Sequence, residues 1–99
     1  MPTYKLILEY DGTNYAGWQR QPNKTSIQSQ LEDAIFQISQ EPTTTIASGR
    51  TDAGVHAFAQ VVSFRSGKSL SPKKWTRSLN GVLPKDICVH QTEQVSDSF

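Results

Sequence analysis

The chain has 99 residues and a formal net charge of +1, enough for one small domain. Its single cysteine, Cys88, excludes an internal disulfide framework. No window approaches the roughly 20 apolar residues of a membrane span, and no basic-then-apolar pattern opens the sequence, so a cytoplasmic location is expected.

Tyr4, Leu6, Leu8 and Tyr10 alternate with Lys5, Ile7 and Glu9, which predicts a strand with one buried face. Asp11-Gly12 ends it with turn chemistry, and Thr13 to Lys24 reads as a long loop. A helix follows. Thr25 and Gln28 have the spacing of a capping box, and Ile27, Leu31, Ala34, Ile35 and Ile38 form one apolar stripe. Pro42 stops this helix, and the β-branched run from Thr43 to Ala47 predicts a second strand.

Phe58 to Phe64 reads as a third strand. Ser71 and Pro72 suit the cap and first position of a second helix, with Leu70 able to staple onto Trp75 and Asn80-Gly81 marking the end. Ile87, Cys88 and Val89 form a short last strand, in which the Cys88 thiol is expected to be buried and inert. Trp75, Tyr4 and Tyr10 are assigned to the core. The order β-α-β-β-α-β predicts an α+β, ferredoxin-like sandwich, with two helices on one face of an antiparallel sheet. The other face is left for RNA, a second domain or another subunit.

Between the second and third strands the chain takes a longer path than a hairpin requires, from about Gly49 to Ala57. Two glycines flank Arg50, Thr51 and Asp52, so a carboxylate is presented beside a guanidinium. By itself such a pair is often a surface ion pair worth ~0–1 kcal/mol. From Ala53 to Lys85 there is no acidic residue, while Arg65, Lys68, Lys73, Lys74, Arg77 and Lys85 fall there; on charge alone this is first a solvated helix face, and also an arrangement able to attract a phosphate backbone. Thr13, Tyr15, Trp18, Gln19, Arg20 and Gln21 interleave aromatic, hydrogen-bonding and cationic groups. They suit base stacking and phosphate contact, although the aromatics of such a loop can equally pack on the core. His56 and His90 match no zinc spacing, and no metal site is expected.

The segment Gly49-Arg50-Thr51-Asp52-Ala53-Gly54-Val55-His56-Ala57, followed by Gln60-Val61 and Phe64, resembles the active-site motif of the tRNA pseudouridine synthase A family. Tyr10-Asp11-Gly12-Thr13 with Tyr15 and Gly17 to Gln21 is similar to that family's first loop. Ser26-Ile27-Gln28, Leu31-Glu32 and Ala34 are similar to its first helix, and Leu79-Asn80 with Leu83 to Ile87 to its second helix and following strand. The resemblance implies an isomerase that converts uridine to pseudouridine in the anticodon stem-loop of tRNA, at positions 38–40, without cofactor or metal and as a homodimer. It aligns Asp52 with the catalytic carboxylate and Arg50 with the arginine implicated in displacing the base. Thr13, Trp18, Gln19, Arg20, Gln21, Thr51 and His56 are the expected RNA contacts, with His56 also expected to help order the active-site loop. The family continues into a second, similarly folded domain, so residues 1–99 are expected to be its N-terminal, catalytic-Asp domain. A non-catalytic RNA-binding module of the same strand order is the alternative; it leaves the Arg50–Asp52 loop unexplained.

Overall fold

The computed structural model describes residues 1–48, 54 and 57–96, with only the backbone of Phe58. Strand β1 (Thr3–Tyr10) is central, with Leu6 and Leu8 fully buried and Tyr4 and Tyr10 nearly so. It pairs antiparallel with β3 (Ala57–Arg65) on one side and β4 (Ile87–Val95) on the other; β2 (Ile46–Ala47) lies outside β3, giving the order β2-β3-β1-β4. Helices α1 (Ile27–Ser39) and α2 (Pro72–Val82) send Ile27, Leu31, Ala34 and Ile35, and Trp75 and Leu79, into the core with the inner sheet residues. Tyr4, Phe64 and Trp75 form an aromatic centre with ring centroids 5.2–5.6 Å apart. This is the expected ferredoxin-like α+β sandwich.

Several local expectations are corrected. Helix α1 is capped one residue later than expected. Ser26 Oγ accepts from the Ser29 amide and Ser29 Oγ accepts from the Ser26 amide, both at 3.1 Å. Gln28 is thereby released to bond Glu32 and the Thr45 carbonyl. At the other end Gln40 takes the left-handed conformation (φ +62°) and its amide donates to the Phe36 carbonyl. Strand β2 is shorter than the β-branched run because the Thr45 amide donates to the Glu32 carboxylate at 2.8 Å rather than to a neighbouring strand.

Ser71 and Pro72 act as expected: Ser71 Oγ accepts from the Lys74 amide and Pro72 opens α2; Leu70 is partly buried against the core. Helix α2 nevertheless runs through Asn80-Gly81 to Val82. Asn80 does not end it, because its side chain receives the Val89 amide at 2.8 Å and donates to the Val89 carbonyl at 2.9 Å. Strand β4 borders the sheet, so this amide occupies edge positions that a further strand would otherwise take.

Strand β4 is far longer than its short apolar run suggests. A register shift places Val89 opposite Leu8 but Gln91 opposite Ile7, so His90 is an extra residue. The inward face therefore changes parity, from Ile87 and Val89 to Thr92, whose hydroxyl meets that of Thr76 at 2.8 Å. Cys88, expected to be buried, is exposed, since it points to the face opposite Ile87 and Val89. That outer face carries the Lys5–Glu93 ion pair (3.3 Å) and the Glu9–His90 contact (2.6 Å).

Candidate active site

A second register shift, between Leu8 and Tyr10, sets two β3 residues opposite Glu9 and turns Ala57 toward the core. It falls where the Gly49–Ala57 segment enters the sheet, and bulges commonly re-aim side chains beside active sites. Arg50, Thr51, Asp52 and His56 lie outside the described residues. Gly54, two positions after Asp52, is described. Its φ of +79° is in the left-handed region, where a side chain is strained even though a Cβ there would meet open space.

The Gly54 amide donates to the Tyr15 carbonyl at 3.3 Å. Tyr15 follows a 3-10 turn (Gly12–Asn14) that Asp11 caps, accepting from the Thr13 amide at 3.0 Å and the Thr13 hydroxyl at 2.6 Å. The Tyr15 ring is buried, and its hydroxyl donates to Asp86 Oδ1 at 2.5 Å. The Asp86 carbonyl in turn accepts from the Asp11 amide at 2.9 Å. The end of β1, the start of β4 and the motif segment are thus tied at one point. Burial, the hydrogen bond to Asp86, and the charges of Asp86 and then Asp11 all hold the Tyr15 phenol well above its ordinary range, so it is a donor throughout the neutral pH range. Tyr15 and Asp86 both fall in segments similar to the family's, yet sequence reasoning does not join them. In the chain 71 residues separate them, and only the β1–β4 pairing brings them together.

The remaining expected contact residues divide in two. Trp18 is buried, and the Gly17 and Trp18 carbonyls accept the Ile27 and Gln28 amides at 3.1 and 2.9 Å. The loop therefore satisfies the first donors of α1, with Trp18 packed in the core below it. Thr13, Gln19, Arg20 and Gln21 are exposed. Arg20 donates through Nε (3.1 Å) and Nη2 (3.0 Å) to Glu32 Oε1 and approaches Asp33 at 3.9 Å, with about half its side chain exposed. Gln21 donates to the Ala16 carbonyl at 3.2 Å, and Arg20, Gln21, Lys24 and Thr25 line an open groove. On α2, Lys73, Lys74 and Arg77 are exposed, and among the described residues none of the three has a carboxylate partner.

The family model for tRNA pseudouridine synthase matches residues 6–99. The tRNA pseudouridine synthase A of Geobacter sulfurreducens is 50% identical over 99 residues, covering 100% of this chain and 41% of that protein. The namesake from Caldicellulosiruptor saccharolyticus is 47% identical over 94 residues, covering 95% and 38%. That of Escherichia coli is 46% identical over 101 residues, covering 100% and 37%. The chain thus spans about two fifths of the length of these curated relatives. With the motif, the fold and the match over nearly every residue in agreement, the chain belongs to the tRNA pseudouridine synthase family.

Proposed function

We propose that this chain supplies the catalytic carboxylate, Asp52, of an enzyme that isomerises uridine to pseudouridine in the anticodon stem-loop of tRNA, at positions 38–40. The observation that carries the proposal is the nine-residue motif from Gly49 to Ala57, standing inside a family match that spans residues 6–99. The glycosidic bond from C1′ to N1 must break, the uracil must turn, and C5 must join C1′ as its hydrogen leaves. An ionised carboxylate can attack C1′, add to the uracil ring or take the C2′ proton, and all three routes need Asp52 charged near neutral pH. The neighbouring Arg50 guanidinium favours that form. No bound metal or organic cofactor enters any of these routes.

A paired base must first leave the stack, which costs a few kcal/mol. Arg50 fills the vacated space or holds the extruded phosphate, a planar fork suiting either task. Substrate contact extends over Thr13, Gln19, Arg20 and Gln21 on the exposed loop, with Thr51 and His56 in the motif. Arg20's exposed ion pair is worth only ~0–1 kcal/mol, so a phosphate can take the place of Glu32. The exposed cations of α2 add charge for the backbone. The enzyme works as a homodimer in the cytoplasm.

The test is tritium release to water from tRNA labelled at C5 of uridine, measured with this chain joined to the C-terminal part of the Geobacter sulfurreducens relative. Release that vanishes in Asp52→Asn while tRNA binding persists supports the assignment. Full release by Asp52→Asn overturns it, and full turnover on stem uridines by Arg50→Ala removes the role given to Arg50.

A further inference from the structure

The bond between the Gly54 amide and the Tyr15 carbonyl raises the question of what holds Tyr15. Its ring alone would fill the same space as a phenylalanine, so packing does not explain the hydroxyl. That hydroxyl makes a 2.5 Å bond to the Asp86 carboxylate, whose own backbone carbonyl is bonded to the Asp11 amide. Tyr15 is thus fixed at both ends: its amide donates to the Gly12 carbonyl at 3.0 Å, and its phenol is held by the residue that precedes β4. Its carbonyl is left facing the motif segment. Asp52 is only two residues from Gly54, a reach of at most about 7 Å of chain, so fixing the Gly54 amide narrows the positions open to the carboxylate.

We propose that Tyr15 and Asp86 are positioning residues of the isomerisation, their hydrogen bond fixing the carbonyl that holds Gly54 and hence the Asp52 segment. The proposal rests on the reading of Asp52 as catalytic. A charge-assisted bond of this kind is stronger than one between neutral groups. Enzymic rate is sensitive to misplacement of a reacting group by about 1 Å, which can cost a hundredfold.

Two readouts test it. Labelling with 15N-glycine isolates the amides of the 6 glycines, so Gly54 exchange can be followed in the full chain; turnover is read by the tritium assay above. Tyr15→Phe is expected to speed Gly54 exchange at least tenfold. It is also expected to lower kcat at least tenfold at temperatures well below its Tm, with KM for tRNA within twofold. Asp86→Ala should do the same, and the double variant should be no worse than either single. Asp86→Asn, which keeps an acceptor oxygen, should recover most of the loss. Unchanged Gly54 exchange in Tyr15→Phe overturns the proposal. So does faster exchange with unchanged kcat in an enzyme that Asp52→Asn inactivates. If the wild-type protein shows no Asp52-dependent turnover, the functional reading fails instead, and Gly54 exchange still decides whether the anchor exists.

Discussion

Glu32 gathers five hydrogen bonds on one carboxylate that is only 11% exposed, and its removal separates two kinds of interaction by magnitude. Oε1 faces Arg20, which is half in solvent; Oε2 accepts from Gln28 and from the amide and hydroxyl of Thr45, which is 3% exposed. In Glu32→Ala, Arg20 regains water at little cost, because an exposed ion pair contributes ~0–1 kcal/mol. The Thr45 amide has no such recourse, and a buried donor left without an acceptor costs about 1–3 kcal/mol. With the Thr45 hydroxyl and Gln28 also affected, Glu32→Ala should lose about 2–4 kcal/mol. In a domain this small that lowers Tm by roughly 10–25 °C. Arg20→Met should cost under about 1 kcal/mol, since Arg20 is half in solvent and Oε2 keeps its three donors. Glu32→Gln, which retains one acceptor, should fall between them. Thermal unfolding by circular dichroism, arranged as a double-mutant cycle over Arg20 and Glu32, measures all of these. Equal losses in Arg20→Met and Glu32→Ala would refute the reasoning, because the ion pair would then outweigh the bonds to Thr45.

Asn80→Ala should lower stability by about 1–3 kcal/mol in urea unfolding, since the buried Val89 amide loses its acceptor and β4 its edge cover. Tyr15 gives an alkaline signature. Its pKa is raised in the folded state, so the unfolded chain loses this proton first, from about pH 10 upward, and the stability linked to it falls as pH rises past that point. Tm profiles between about pH 8 and 11 should therefore decline less steeply in Tyr15→Phe than in the wild-type protein. Charge reversal at Lys73, Lys74 or Arg77 should weaken tRNA binding for all sequences alike. It should also reduce the log–log salt slope by about one for each phosphate that is no longer neutralised. A slope unchanged in the triple variant would remove α2 from the RNA surface.

The order of elements and most of the core were legible in the sequence. The alternation of Tyr4, Leu6, Leu8 and Tyr10 and the stripe from Ile27 to Ile35 state which side of each element is apolar, and burial follows that directly. The family was legible too, because the motif from Gly49 to Ala57 is long and its neighbours agree with it. What tertiary structure decided are the places where a polar group found a partner far along the chain. Thr45 left the β2 ladder for Glu32, Asn80 continued the helix because its side chain met Val89, and Tyr15 joined Asp86. Thr92 faced the core because one extra residue, His90, reversed the parity of β4, while Cys88, before that residue, faced solvent by simple alternation with Ile87 and Val89. Periodicity is a local property and records the apolar faces. Hydrogen-bond satisfaction and strand register depend on which segments meet, and only the assembled sheet determines that.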